Sequence, residues 1–302
     1  MTDYPVYLKI LETGKLERLA EGVMQKLAAC ELCPHMCGTN RLRSELGYCK
    51  AGMDMEISGY GLHFGEEPPL VGHHGSGTIF FCHCNLGCVY CQNWDISHGS
   101  GEKISSTGLA RIMLELQKQG CHNINLVTPT HYVPQIIVSI ARAAEQGLRV
   151  PIVYNCGGYE AEETLKILEG IIDIYMPDFK YDNSETGLRL SQIPNYWEAA
   201  KSSLREMHRQ VGDLIIDKEG IALHGLIIRH LVLPEKLAGT EEVMRFIAEE
   251  ISPHSYINVM NQYYPAFKAG EYSPLDRTLT KAEYERAIRA AKSASTLFRF
   301  AD

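Results

Sequence analysis

Three cysteines spaced C-x₃-C-x₂-C, Cys84, Cys88 and Cys91, directly follow a short apolar run, Ile79-Phe80-Phe81. Thiolates at this spacing on one loop can chelate a single small inorganic cluster. Three ligands for a cube of four irons leave one iron without a protein ligand, and an open metal position usually serves chemistry, not structure. A zinc knuckle or a set of buried thiols is the competing reading of the same residues.

A second group lies upstream, Cys30-Glu-Leu-Cys33-Pro-His-Met-Cys37 followed by Cys49. Its spacing, C-x₂-C-x₃-C-x₁₁-C, supplies four potential ligands, a closed set. That number suits structural zinc or an auxiliary iron–sulfur cluster, and a redox-active group without metal is a third reading. His35, alone inside this loop, reads as exposed. Eight of the ten cysteines fall between Cys30 and Cys91. Such clustering points to metal sites in a reducing compartment before it points to disulfides. Cys82, Cys121 and Cys156 read as core thiols.

The elements that must hold these groups follow from hydrophobic periodicity. Leu16 to Ala29 has the spacing of an amphipathic helix starting after Gly14. Residues 52–77, rich in Gly and Pro, read as a connector, with Glu66 and Glu67 in a solvated turn or, as the alternative, lining a pocket. From Thr78 onward apolar strands alternate with amphipathic helices. Strands are expected at Ile79–Cys82, Asn123–Val127, Val150–Tyr154, Ile171–Tyr175, Leu223–Leu231 and Tyr256–Met260. Helices are expected at 107–119, 133–145, 161–169, 196–211 and 241–250, with a last one from Lys281 to Lys292. Such alternation implies parallel strands with crossover helices. The fold class is therefore α/β, a partial (β/α)6 TIM-type barrel with an N-terminal cysteine-rich helical extension. Residues 1–76 are assigned to the extension and connector, and 77–302 to the barrel.

Ligands in such barrels gather at the carboxyl ends of the strands. The second strand ends at Thr128-Pro-Thr130, which could face a ligand or cap the next helix. The third ends at Asn155, ahead of Gly157-Gly158, where backbone can approach a ligand closely. The fourth carries Asp178 and Lys180, two residues apart and so on one face. Asp178 could hold an ammonium group and Lys180 a carboxylate. Arg229 and His230 interrupt the apolar fifth strand, and a buried charge needs a partner, either a bound ligand or a structural salt bridge.

Composition closes off several classes. The chain has 302 residues, 45% of them hydrophobic, and a formal charge of −8. A large core is affordable, and the negative balance argues against gripping nucleic acid through its phosphates. The N-terminus lacks the pattern of a secretory signal, and no apolar run reaches the roughly 18–20 residues of a membrane span. A cytoplasmic location, away from membranes, is the expectation.

The cysteine loop, with Tyr90 before its last ligand, resembles the signature of radical S-adenosylmethionine (SAM) enzymes. More narrowly, the span from Cys30 to about Lys292 resembles relatives of the pyruvate formate-lyase activating enzyme. The matching pieces are Cys30-Glu-Leu-Cys-Pro, Phe64-Gly-Glu-Glu-Pro-Pro, Cys84 to Trp94, Asn123 to His131, Pro177-Asp-Phe-Lys and Arg229-His-Leu-Val-Leu-Pro. Thr128-Pro-Thr-His departs from the Gly-Gly-Glu motif common in that superfamily. The resemblance implies a [4Fe-4S] cluster on Cys84, Cys88 and Cys91, with SAM held by Tyr90, Thr128, Thr130, Asn155, Asp178, Lys180 and Arg229. It implies reductive cleavage of SAM to a 5′-deoxyadenosyl radical that abstracts hydrogen from a substrate. The substrate would be a glycyl-radical enzyme or, alternatively, a peptide, cofactor precursor or small metabolite. A flavodoxin- or ferredoxin-type donor would supply the electron. A non-catalytic electron-transfer or scaffold protein is the reading from outside the enzyme classes.

Overall fold

The computed structural model describes residues 4–301. The strands, in chain order, are β1 (Met55–His63), β2 (Ser76–Phe81), β3 (Glu102–Ile104), β4 (Ile124–Val127), β5 (Ile152–Cys156), β6 (Ile174–Pro177), β7 (Ile215–Ile216), β8 (Ala222–Leu231), β9 (Tyr256–Met260) and β10 (Arg299–Phe300). The helices are α1 (Tyr7–Glu12), α2 (Lys15–Val23), α3 (Pro68–Val71), α4 (Trp94–Ser97), α5 (Ser106–Lys118), α6 (Val133–Glu145), α7 (Glu162–Ile167), α8 (Ser184–Ser191), α9 (Tyr196–Val211), α10 (Thr240–Phe246) and α11 (Lys281–Ala294).

The six expected strands are β2, β4, β5, β6, β8 and β9, and they pair in parallel in that order. β5 and β6 are buried along their whole length, the pattern of parallel strands covered on both faces. Helices lie between them because their apolar residues recur at helical spacing. In α5, Leu109, Ile112, Met113 and Leu116 face the core, and Ser105 caps the helix by accepting from the Gly108 amide at 3.1 Å. This is the α/β partial barrel expected from the alternation.

Four strands were not legible. β10 extends the parallel set beside β9, and β7 pairs antiparallel with β8. β1 pairs antiparallel with β2, and β3 pairs antiparallel with β1. Residues 52–77 are therefore not a plain connector. Gly59 and Gly61 sit within β1, and its register with β2 shifts between Ile57 and Gly59, the place where a strand glycine marks a bulge. The first helix is also shorter than expected. α2 starts after Gly14, as read, but residues Met24–Ala28 tighten into a 3₁₀ turn. Cys30, bonded through its amide to the Thr39 carbonyl at 3.0 Å, has already left the helical path.

α3 stoppers the barrel. Its Leu70 is fully buried among Val153, Ile174, Met176, Ile227 and Tyr256, residues contributed by β5, β6, β8 and β9. Asn123 fixes the stopper by donating from Nδ2 to the Leu70 carbonyl at 2.8 Å. Leu70→Ala should cost about 2–5 kcal/mol through the cavity it leaves among these walls, read as a lower denaturant midpoint at unchanged slope.

α1 and α2 pack against α6. The Val6 amide donates to Asp173 Oδ1 at 2.7 Å and the Tyr7 hydroxyl to the Val150 carbonyl at 2.9 Å. Among the described residues, no helix is long and apolar enough to cross a membrane.

Candidate active site

The carboxyl ends of the parallel strands surround a cavity of about 220 Å³. Cys84, Cys88 and Cys91 all line it, together with Tyr90, Thr128, Asn155, Asp178, Lys180 and Arg229. Of the residues expected at this site, Thr130 is the exception. It is fully buried and turned outward, its hydroxyl donating to Glu160 Oε1 at 2.9 Å. It does not cap the following helix either. Thr128 explains the turn: its φ of 59° is left-handed, a costly conformation for a β-branched residue, and it swings the chain away from the strand direction.

The charged residues form one network. Lys180 Nζ donates to Asp178 Oδ2 at 2.7 Å, and Arg229 Nε donates to Asp178 Oδ1 at 2.8 Å. The other guanidinium nitrogens reach Asn155 Oδ1 at 2.8 Å and Glu66 Oε2 at 3.3 Å. Burial alone would raise the Asp178 carboxyl, but Arg229 and Lys180 together hold it below the usual carboxylate range. The solvated turn expected at Glu66 and Glu67 is thus corrected. Their partners lie on β8 and β9, with Asn258 Nδ2 donating to Glu67 Oε1 at 3.0 Å.

A chain of hydroxyls supports Cys88. Its sulfur lies 2.9 Å from Ser191 Oγ, which lies 2.7 Å from the Tyr181 hydroxyl, itself 2.6 Å from that of Tyr90. A ligating thiolate only accepts, so metal on Cys88 would orient every proton in this chain toward the sulfur. The Leu86 amide donates to Cys84 Sγ at 3.3 Å. Burial first, and Cys91 after it, push the Cys88 thiol up to about 11 against the pull of Lys180, and Cys84 is raised in the same way. Three thiols gathered on one cavity, with Cys84 and Cys88 disfavoured as thiolates, fit a cationic cluster that would stabilise their ionised form. Among the described residues no three Cys, His, Asp or Glu side chains close around a point as they would for a single ion.

His230 stays out of the cavity. Nδ1–H donates to the Phe179 carbonyl at 2.6 Å, Nε2 accepts from the Thr240 hydroxyl at 2.9 Å, and burial lowers the imidazole to about 4. His35, expected to be exposed, is half-buried. It stacks on Tyr48 at 3.8 Å and donates from Nε2 to the Asn85 carbonyl at 3.0 Å, which brings the upstream cysteine loop against the cluster loop. Cys82 is a core thiol, as read.

Glu160 carries no motif or spacing signal in the sequence. It lies buried behind the Gly157-Gly158 turn, without a cation, accepting from Thr130 and from Tyr154, the latter at 2.9 Å. Burial raises its carboxyl from 4.5 to about 7. Between those two values the folded chain keeps a proton that the unfolded chain has released, so this group's contribution to stability falls as pH rises through the window. Glu160→Gln should remove that slope. The wild-type minus variant difference in unfolding free energy is expected to decline between the two values by at most about 3 kcal/mol.

Residues 78–247, more than half of the chain, match the family described as the radical SAM superfamily. The chain belongs to the radical SAM superfamily. A radical SAM protein carries a [4Fe-4S] cluster and binds SAM, and the residues around this cavity fit both groups. The chain is 35% identical over 274 residues to an uncharacterized protein of Methanocaldococcus jannaschii, covering 87% of this chain and 74% of that one. Matches among solved structures include Streptococcus suis SuiB, at 12% identity and a TM-score of 0.49, over 73% of this chain and 47% of that one. SuiB bound to S-adenosylmethionine matches at 11% and 0.47, over 72% and 47%. HydG, a maturase of the [FeFe]-hydrogenase, matches at 15% and 0.47, over 72% and 48%. This radical SAM chain spans about half the length of those structures.

Proposed function

We propose that this radical SAM enzyme holds its cluster on Cys84, Cys88 and Cys91 and its SAM against Tyr90, Thr128, Asn155, Asp178, Lys180 and Arg229, and that it activates a glycyl-radical enzyme by removing hydrogen from a backbone glycine. When bound, the reduced cluster and SAM supply a 5′-deoxyadenosyl radical. The protein's part is to bind, orient and keep dry. Asp178 is positioned to accept from an ammonium or a ribose hydroxyl while Arg229 and Lys180 fix its rotamer. The network's buried charges and the apolar walls Leu86 and Leu231 limit water around the reacting carbon. The observation that carries the reading is the convergence of three cysteines with the Asp178–Lys180 pair on one cavity.

A second reading is modification of a peptide, cofactor precursor or small metabolite. It draws support from the upstream group Cys30, Cys33, Cys37 and Cys49, whose loop meets the cluster loop through His35 and Asn85. Burial first, and neighbouring thiols of the group after it, raise Cys33 and Cys49. In either reading these four would hold an auxiliary [4Fe-4S] cluster or zinc, and a flavodoxin- or ferredoxin-type protein would deliver the electron in the cytoplasm.

The test is anaerobic reconstitution, chemical reduction and chromatography for 5′-deoxyadenosine, with iron and zinc measured per chain. Formation of 5′-deoxyadenosine is expected. Its absence from fully loaded, reduced protein would overturn the enzymatic proposal. A glycyl-radical signal in electron paramagnetic resonance of an added candidate enzyme separates activation from the second reading.

A further inference from the structure

A second cavity, of about 230 Å³, lies on the far side of Arg229 from the cysteines. It shares Arg229, Met260 and Gln262 with the first cavity and none of the cysteines. Glu66 and Glu67, at the head of the barrel's stopper, form one wall, and the end of β9 forms the other. Glu67 is only 4% exposed. Its Oε1 is satisfied by Asn258, but its buried Oε2 has no hydrogen-bond donor. A buried carboxylate oxygen without a donor is a costly arrangement to keep in a protein.

The charges around it do not balance. Asp178 pairs with Lys180 and Arg229, Glu66 pairs with Arg229 and Glu67 lies against Glu66, so three carboxylates face two cations. One negative charge is left over at the Glu66–Glu67 end. In the free protein a proton makes up the difference: burial, opposed by Arg229 and reinforced by Glu67, raises Glu66 to about 7. A divalent metal is a poor occupant, because Arg229 repels it and no third ligand converges there among the described residues. A monovalent hydrogen-bond donor is a good one. An ammonium or guanidinium seated on the acid pair would supply the donor that Oε2 lacks, displace the proton on Glu66 and cancel the surplus charge.

We propose that the Glu66–Glu67 pair is the recognition subsite for a protonated amine or guanidinium carried by the substrate. The guanidinium of Arg229 is the partition between the two cavities, with Nε turned to Asp178 and Nη1 to Glu66. A substrate anchored by its cation on the acid pair then lies beside the residues proposed to hold SAM. The assignment of the occupant to substrate, and not to SAM, rests on the functional reading above.

The experiment titrates cluster-reconstituted protein, with SAM bound, against n-butylammonium chloride and against 1-butanol as its neutral match. Binding is followed by ligand-observed NMR, and calorimetry in two buffers of unequal ionisation heat counts protons released. The cation should bind at pH 7 about tenfold more tightly than the alcohol, with proton release, and Glu67→Gln should weaken it by about tenfold or more. Glutamine keeps the side chain's shape and an acceptor oxygen for Asn258, so the melting temperature of the variant should not fall. Equal binding of cation and alcohol, or of the cation by both proteins, overturns the proposal. So does a matching loss of SAM affinity in Glu67→Gln, which would make the pair part of the SAM site. Normal cation binding in a protein that forms no 5′-deoxyadenosine would instead count against the enzymatic reading and leave the subsite intact.

Discussion

Cys88→Ala is expected to reduce SAM cleavage by more than about 100-fold, since removing even an outer partner of a metal ligand costs 10–100-fold and Cys88 is itself the ligand. Its sulfur is anchored from both sides, by the loop that joins it to Cys84 and Cys91 and by the Ser191 hydroxyl at 2.9 Å. Alanine removes one of three attachments for the cluster and leaves Ser191 without its acceptor. The measurement is 5′-deoxyadenosine formed per iron-loaded chain. Cys33→Ala is expected to retain a measurable fraction of that activity. The two loops touch through His35 and Asn85, so some loss will pass between them. Equal loss in both variants would mean that the two cysteine groups work as one unit.

Asp178→Ala is expected to destabilise the fold by about 3 kcal/mol, the lower end for breaking a buried pair. It strands Lys180, whose carboxylate partner is Asp178, while Arg229 keeps Glu66 and Asn155. Urea unfolding reads the loss. Because Asp178 is held below its ordinary value of 3.8, its stabilising contribution is complete above that value and fades as pH falls through the folded one. The gap between wild type and variant should accordingly be flat near neutrality and close in acid. Asp178→Asn separates charge from shape, since it keeps acceptor capacity for Arg229 but not the counter-charge.

These expectations divide along the line between local and distant information. The parallel strands were legible because strands buried on both faces are short apolar runs, and β5 and β6 have no exposed position. β1 was not, because its glycines serve a bulge and its outer face is polar. At the site, Cys84, Cys88, Cys91, Asp178 and Lys180 announced themselves by spacing along the chain. Glu66 could not: what takes it out of water is Arg229, 163 residues away. Ser191 closes α8, a helix with no chemical signature, and acquires meaning only where it meets Cys88. Thr130 failed the other way. Strand-end position implied the cavity, and a single left-handed residue at 128 sent it elsewhere.

The two margins of the sheet bear on how a polypeptide could be read. One margin is β3, three residues that include Glu102 and Lys103; the other is β10, two residues that begin with Arg299. Short, charged borders of this kind discourage an incoming strand from zipping onto the ladder. Backbone-templated docking, in which an extended guest borrows main-chain hydrogen bonds, finds a poor platform at these two margins. Under the proposed readings, a polypeptide client turned away from these margins would be chosen by what its side chains offer at the barrel mouth, and sequence context in the client should matter more than its extended length.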